Sequence, residues 1–138
     1  METLTGIMSM VYEMKKKWLQ VDHKLMEDLK ISQSELLFFS ALSNCQGITS
    51  PELAKNMGLS PSRVSRVVDK LFVNGYLDRN TATNDRRVIT LCLTAKGKAI
   101  RTKIDKVRNE CEERLLDIIP SAEMERFTEI FSKIVVNL

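Results

Sequence analysis

The sequence has few of the residues that build catalytic and metal centres. It contains one histidine, His23, no glycine-rich phosphate loop, and no recognisable pairing of a nucleophile with a base. Zinc sites usually need three or four well-placed ligands, more than His23 and its neighbours Asp22 and Glu27 provide. We therefore predict that the protein is not an enzyme and holds neither a metal nor another cofactor.

The sequence also lacks the long apolar run of a membrane helix. No stretch approaches the roughly 20 apolar residues of a span, and the N-terminal region places its positive charge after its apolar stretch, the reverse of a secretory signal. The three cysteines, Cys45, Cys92 and Cys111, are odd in number and far apart, which argues against a disulfide framework. We expect a cytoplasmic protein in a reducing compartment, with no membrane partner; redox sensing by Cys45 or Cys92 is the weaker alternative.

Positive charge is concentrated in one segment. Residues 48–103 contain eleven Lys/Arg and four Asp/Glu, a net charge of +7, whereas the remainder carries −4. The whole chain has a net charge of only +3. A surface that binds nucleic-acid phosphates has this electrostatic character, so the segment is the predicted DNA-binding region.

The spacing of apolar residues predicts a mainly α-helical protein. A first helix over Leu4–Leu29 repeats apolar residues every three or four positions. Ser32 begins a second helix, predicted to end near residues 44–47. Thr94 begins a long fifth helix, and a last helix follows the break at Pro120.

The middle of the chain predicts a helix-turn-helix followed by a β-hairpin. Thr49 caps a short third helix that stops at Gly58, and Ser60 caps a fourth. Residues 76–80 and 87–93 read as two strands, and in the second strand apolar side chains alternate with Thr90 and Cys92. The predicted fold class is therefore mainly α with a small β-hairpin wing, a winged helix-turn-helix.

The fourth helix separates an apolar face from a polar face. At about 100° per residue, four apolar residues fall on one side, where they can pack on the preceding helix: Val64, Val67, Val68 and Leu71. The other side carries hydroxyls and arginines near the helix N-terminus, which permit close approach to DNA and bidentate binding of guanine. A merely solvated face is the alternative. The predicted DNA-contacting residues are Ser60, Ser62, Arg63, Ser65, Arg66 and Lys70.

The hairpin tip supplies a second candidate contact. Asp85, Arg86 and Arg87 lie at the predicted tip and at the start of the second strand. An Arg there can enter a narrow minor groove, and Asp85 can orient it through a charge-assisted hydrogen bond. A salt bridge that only stiffens the turn is the alternative.

With these residues in view, the chain resembles the multiple-antibiotic-resistance regulator (MarR) family over nearly its full length. Helix-turn-helix patterns alone are permissive, but the Asp85-x-Arg87 wing and the Leu93-Thr94-x-x-Gly97 junction make the combination much more specific. The other matching motifs are Thr49-x-x-Glu52-Leu53-Ala54, Gly58-Leu59-Ser60, Val64-x-x-x-Val68-Asp69-x-Leu71 and Gly75-Tyr76-Leu77. The resemblance implies a transcription regulator, usually a repressor, that binds a pseudo-palindromic site in double-stranded DNA.

The resemblance also implies a homodimer formed by the N- and C-terminal helices. The residues themselves agree with a dimer, because the first and last helices have no domain of their own in which to bury their apolar stripes. Packing of these stripes on each other within one chain is the alternative. The predicted organisation is an N-terminal dimerisation helix at 1–31, a winged helix-turn-helix DNA-binding domain at 32–99 and C-terminal dimerisation helices at 100–138.

Regulators of this family are generally switched by an effector, such as a small aromatic or anionic molecule. The crevice for such an effector is expected where the first, second and fifth helices meet, with Tyr12, Trp18, Phe38 and Phe39 as candidate walls. Core packing is the alternative for all four. The competing function for the whole chain is a winged-helix module that binds a protein partner without specific affinity for DNA.

Overall fold

The computed structural model describes residues 6–42, 45–80 and 88–138. The chain separates into two compact units, Met1–Arg101 and Thr102–Leu138. No helix among these residues is both long and apolar enough to cross a membrane. The first unit contains most of the buried core and is the one that positions the candidate site.

The secondary structure is mainly helical, with one small antiparallel sheet, so the predicted fold class is confirmed. A short 3₁₀ turn at Ser121–Glu123 precedes the last helix. The helices are α1 (Ile7–Leu29), α2 (Gln33–Ala41), α3 (Ser50–Met57), α4 (Pro61–Val73), α5 (Ala95–Ile118) and α6 (Met124–Asn137), and the strands are β1 (Cys45–Thr49), β2 (Leu77–Asn80) and β3 (Val88–Leu93).

Two capping boxes begin helices where the sequence predicts them. The Glu35 N–H donates to the Ser32 hydroxyl at 3.2 Å, and the Ser32 N–H donates to the Glu35 carboxylate at 3.3 Å. Thr49 and Glu52 repeat the arrangement at the start of α3, at 3.3 and 3.1 Å. Each cap satisfies N–H groups that a helix leaves unpaired and contributes about 1 kcal/mol.

The predicted end of α2 near residues 44–47 is wrong, and the sheet has three strands instead of two. The helix stops at Ala41, and Cys45–Thr49 forms β1, which pairs with β3 in the order β1-β3-β2. The five residues of β1 carry no strong alternation of their own. Their hydrogen-bond partners come from a strand some forty residues later, so local pattern could not reveal them.

The sheet buries one face against the helices. In β3, Leu91 and Leu93 are buried while Thr90 and Cys92 are half-buried, as the predicted alternation requires. Leu77 of β2 stands opposite Leu93 and is also buried. These side chains join the core that α2, α3 and α4 close.

The described cysteines differ in their bonding, which the sequence does not predict. Cys92 is disulfide-bonded, whereas Cys111 is a free, half-buried thiol.

The junction between the sheet and α5 is held by hydrogen bonds to the end of α4. The Thr94 hydroxyl donates to the Gly75 carbonyl at 2.6 Å and accepts from the Gly97 N–H at 3.2 Å, which confirms the predicted cap of α5. The Thr94 N–H donates to the Tyr76 carbonyl at 3.0 Å. Gly97 lies so close to this strand entry that a Cβ there would stand 2.3 Å from the Tyr76 oxygen.

We predict that Gly97→Ala destabilises the first unit. Alanine is intrinsically better than glycine in a helix by about 1 kcal/mol, but here its methyl group overlaps a backbone carbonyl and forces α5 away from the sheet. A net loss of about 1–3 kcal/mol is expected, measured by urea unfolding. Ala99→Ser, at an exposed position two residues later, is the control and should change stability little. A Gly97→Ala protein as stable as the parent would contradict the close approach.

Candidate nucleic-acid interface

The helix-turn-helix consists of α3, a three-residue turn and α4. The turn begins with Gly58 in the left-handed conformation, at φ 66°. The Gly58 N–H donates to the Lys55 carbonyl at 3.2 Å and the Leu59 N–H to the Ala54 carbonyl at 3.1 Å. This pair of bonds is a Schellman ending, which closes α3 and fixes the direction in which the chain enters α4.

The apolar face of α4 is buried as the sequence predicts. Val64, Val68 and Leu71 are buried, with Leu71 wholly inaccessible, and α4 packs against α2, α3 and β2. A fully buried Leu or Val contributes about 1.5–3 kcal/mol relative to an exposed one. This face therefore fixes which side of α4 is turned outward.

The outward side carries the predicted hydroxyls and arginines at the N-terminal end of the helix. The Ser60 hydroxyl accepts from the Arg63 N–H at 3.4 Å and lies 3.3 Å from the Ser62 hydroxyl. Pro61 occupies the first turn, where a missing N–H costs no hydrogen bond. Five of the predicted residues are exposed here: Ser60, Ser62, Arg63, Ser65 and Arg66.

The electrostatics of this end favour an anion. The N-terminus of a helix carries about half a positive charge from its unpaired N–H groups. The first turn of α4 contains no acidic residue, and Arg63 adds a full positive charge beside it. Hydroxyls and guanidinium groups together form a surface on which phosphate oxygens and base edges find donors.

Lys70 differs from the other predicted residues because an ion pair holds it. Its ammonium lies 3.2 Å from Oε1 of Glu35 on α2. The Glu35 side chain is only 5% exposed, and the same oxygen accepts the capping hydrogen bond from the Ser32 N–H. The pair therefore connects the last turns of α4 to the first turn of α2.

The predicted wing tip, Asp85, Arg86 and Arg87, lies outside the described residues. The strands that lead to it, β2 and β3, pair in register from Leu77–Leu93 to Asn80–Thr90. At the base of the hairpin, the Lys96 ammonium donates to the Asn74 carbonyl at 2.9 Å and lies 4.6 Å above the Tyr76 ring. The hairpin is thereby joined to the end of α4.

The four candidate walls of an effector pocket divide into two pairs. Phe38 and Phe39 are wholly buried, and their rings meet edge to face at 5.9 Å. Tyr12 and Trp18, on α1, are exposed. A ligand that touched either phenylalanine would have to displace core packing.

The described residues contain no group of three or more His, Cys, Asp and Glu side chains that could hold a metal ion. His23 is exposed on α1.

Two contacts that orient the interface escaped the sequence analysis. Glu35 was identified only as a capping residue, and no local pattern connects it with Lys70, 35 positions later. Lys96 belongs to the Leu-Thr-x-x-Gly junction, but its bond to Asn74 depends on how β3 returns beside α4.

The chain is similar to known transcription regulators. Residues 31–89 match the MarR family model. The transcriptional repressor MprA of Escherichia coli K12 is 24% identical over 127 residues, which cover 91% of this chain and 72% of that protein.

Solved structures show the same fold. A MarR family transcriptional regulator from Silicibacter pomeroyi superposes with a TM-score of 0.76 at 21% identity, covering 99% of this chain and 92% of that one. The Mycobacterium tuberculosis MarR family protein Rv2887, in complex with salicylic acid, superposes with a TM-score of 0.64 at 21% identity, covering 94% of this chain and 96% of that one. Apo MarR from Escherichia coli superposes with a TM-score of 0.65 at 20% identity, covering 96% of this chain and 98% of that one. These findings confirm the resemblance drawn from the sequence: the chain is similar, over residues 31–89 and in its fold, to transcriptional regulators of the MarR family.

Proposed function

We propose that the chain is a homodimeric repressor that binds a pseudo-palindromic operator, with the N-terminal half of α4 in the major groove. The observation that carries this proposal is the exposed cluster of hydroxyls and arginines at the start of α4, on a helix whose opposite face is buried. Ser60, Ser62 and Ser65 allow the backbone to approach DNA closely. Arg63 and Arg66 supply charge and bidentate donors.

The roles of the two arginines follow from their positions. Arg63 lies in the first turn beside the capping serine, where a phosphate would also meet the helix N–H groups. Arg66 lies almost one turn further along the exposed side, where a side chain in the groove reaches base edges. We assign Arg63 to phosphate binding and Arg66 to base recognition.

Lys70 has a positioning role in this proposal. Its ammonium is committed to a buried carboxylate of α2, so it holds α4 in place for the residues nearer the helix N-terminus. The wing residues Asp85, Arg86 and Arg87 remain predicted minor-groove contacts.

A dimer is supported by the apolar surface that each unit leaves uncovered. On α1, large apolar side chains are exposed along much of the helix: Ile7, Met8, Met10, Val11, Tyr12, Met14, Trp18 and Leu19. Continuous apolar patches of this extent are uncommon on monomers and typical of protein interfaces.

The second unit repeats this feature on α6. Phe127 and Phe131 stack with their ring centres 5.6 Å apart, yet they remain 42% and 40% exposed. Ile130 and Ile134 beside them are exposed as well. A stable homodimer buries at least about 1,200 Å² in total, which helices with such faces can supply. A two-fold dimer would read half-sites about one DNA turn, ~10 bp, apart.

Release by a small aromatic or anionic effector is part of the proposal. It is supported by the salicylic acid complex of Rv2887, a protein of the same fold. Tyr12 and Trp18 are the candidate walls that an effector can reach without displacing core side chains.

In-vitro selection from random duplex DNA at ~150 mM salt tests the proposal, because non-specific phosphate binding is weakened at that salt concentration. The purified protein should enrich a two-fold-symmetric motif. Recovery of no motif, with weak binding to every duplex, would instead favour the module that binds a protein partner.

Arg66→Ala should weaken binding to the selected operator by about 1–3 kcal/mol and relax the preference at one base pair of each half-site. The measurement is equilibrium binding to the operator and to its single-base variants. Arg114→Ala removes the same charged group from an exposed position of α5 outside the basic segment and is the control. An equal loss of affinity for the operator and for all its single-base variants would show that Arg66 contacts a phosphate instead of a base.

Lys70→Met should reduce stability without removing a phosphate contact. The substitution leaves the buried Glu35 carboxylate without its cation, and we expect a cost of about 1 kcal/mol after allowing for the exposure of the lysine. Glu35→Gln and the double variant complete a thermodynamic cycle. The slope of log affinity against log salt should be unchanged in Lys70→Met, whereas a lost phosphate contact would reduce it by about 1.

Phe131→Asp should convert the dimer into monomers, because it places a charge in the proposed α6 interface. The oligomeric state is measured by sedimentation equilibrium, and far-UV circular dichroism checks that the helices persist. Val136→Asp is the matched control: Val136 is 82% exposed and lies about 180° around the helix from Phe127. A dimer that survived Phe131→Asp would place the interface elsewhere.

A further inference from the structure

Cys92 occupies a position that the proposed DNA interface does not use. It is disulfide-bonded, and Cys111 is a free thiol. The pairing of β1 with β3 sets the backbone of Cys45 directly opposite Cys92. Directly opposed residues of antiparallel strands have Cα atoms about 4.5–5.5 Å apart, which lies within the usual disulfide range of about 4.4–6.8 Å.

Cys92 lies on the side of the sheet that faces away from the core. Leu91 and Leu93 are buried on the other side, whereas Cys92 and Thr90 are half-buried. Gly47, which pairs with Thr90, is exposed. A small thiol reagent can therefore reach this side of the sheet while the core stays folded.

We propose that Cys45 and Cys92 form a reversible dithiol–disulfide site, oxidised by a small-molecule disulfide of the glutathione class. The thiolate of one cysteine attacks the oxidant, which forms a mixed disulfide and releases one reduced thiol. The second cysteine then attacks the mixed disulfide, which forms the bond within the chain and releases a second reduced thiol. One S–S bond breaks in the oxidant and one forms in the chain, and the two cysteine protons end on the two released thiols.

The position of this bond determines what it controls. The chain between Cys45 and Cys92 contains α3, α4 and β2, so the crosslink closes one loop around the whole helix-turn-helix. Closing a long loop removes freedom from the unfolded chain and stabilises the folded one. The stability of the helix-turn-helix therefore depends on the thiol–disulfide balance, whether or not the chain binds DNA.

The bond also reinforces an edge strand. In the order β1-β3-β2, β1 lies at one edge of the sheet and pairs with β3 among the described strands. Thr49, its last residue, caps α3. A covalent link at the opposite end of β1 thus secures the segment that leads into the helix-turn-helix.

The test uses the full-length chain, equilibrated with oxidised glutathione or with dithiothreitol. After alkylation in denaturant, mass spectrometry should show one alkylated cysteine in the oxidised chain and three in the reduced chain. Peptide mapping should identify a Cys45–Cys92 link within one chain. The oxidised protein should unfold at a temperature on the order of 10 °C above the reduced protein.

Variants separate this bond from other thiol chemistry. Cys45→Ser and Cys92→Ser should each abolish the difference in unfolding temperature, whereas Cys111→Ser should retain it. Three alkylated cysteines after oxidation, a Cys92–Cys92 link between two chains, or a link to Cys111 would each overturn the proposal. The mapping uses the unaltered chain, so the outcome does not depend on the folding of the serine variants.

Discussion

The burial of the apolar face of α4 is the constraint on which the rest of the first unit depends. Val64, Val68 and Leu71 enter a core shared with α2, α3 and β2. The opposite face of the helix, 180° away, is then exposed to solvent. The same packing that stabilises the unit therefore also exposes the arginines of α4. Core and candidate interface are two sides of one helix.

Several smaller interactions fix the orientation of that helix. The Schellman ending at Gly58 sets the angle between α3 and α4. The Lys70–Glu35 pair connects α4 to α2, and Lys96 with Thr94 connects the end of α4 to the start of α5. Each contributes on the order of 1 kcal/mol, but together they leave the polar face few alternative positions. Reading bases requires this rigidity, because a hydrogen bond to a base edge is lost when the donor moves by about an ångström.

Apolar surface is buried around one helix of the chain and exposed along two others. Around α4 it is buried within the chain, whereas along α1 and α6 it remains exposed, including a stacked pair of phenylalanines. An apolar helix face that its own chain does not cover is most economically covered by a second copy, since one symmetric contact then buries both faces. In the proposed dimer, this surface would set the spacing of the two α4 helices.

The sequence by itself determined the features that arise within a few residues of chain. Capping boxes at Ser32 and Thr49, the glycine ending of α3 and the two faces of α4 depend on local geometry, and all are found where the pattern predicts them. Only the tertiary structure decided that Cys45–Thr49 is a strand, that Lys70 reaches Glu35 and that Cys92 is disulfide-bonded. The strand and the ion pair depend on partners 35 or more positions away. Such contacts form because the core brings distant segments together, and no short stretch of sequence carries that information.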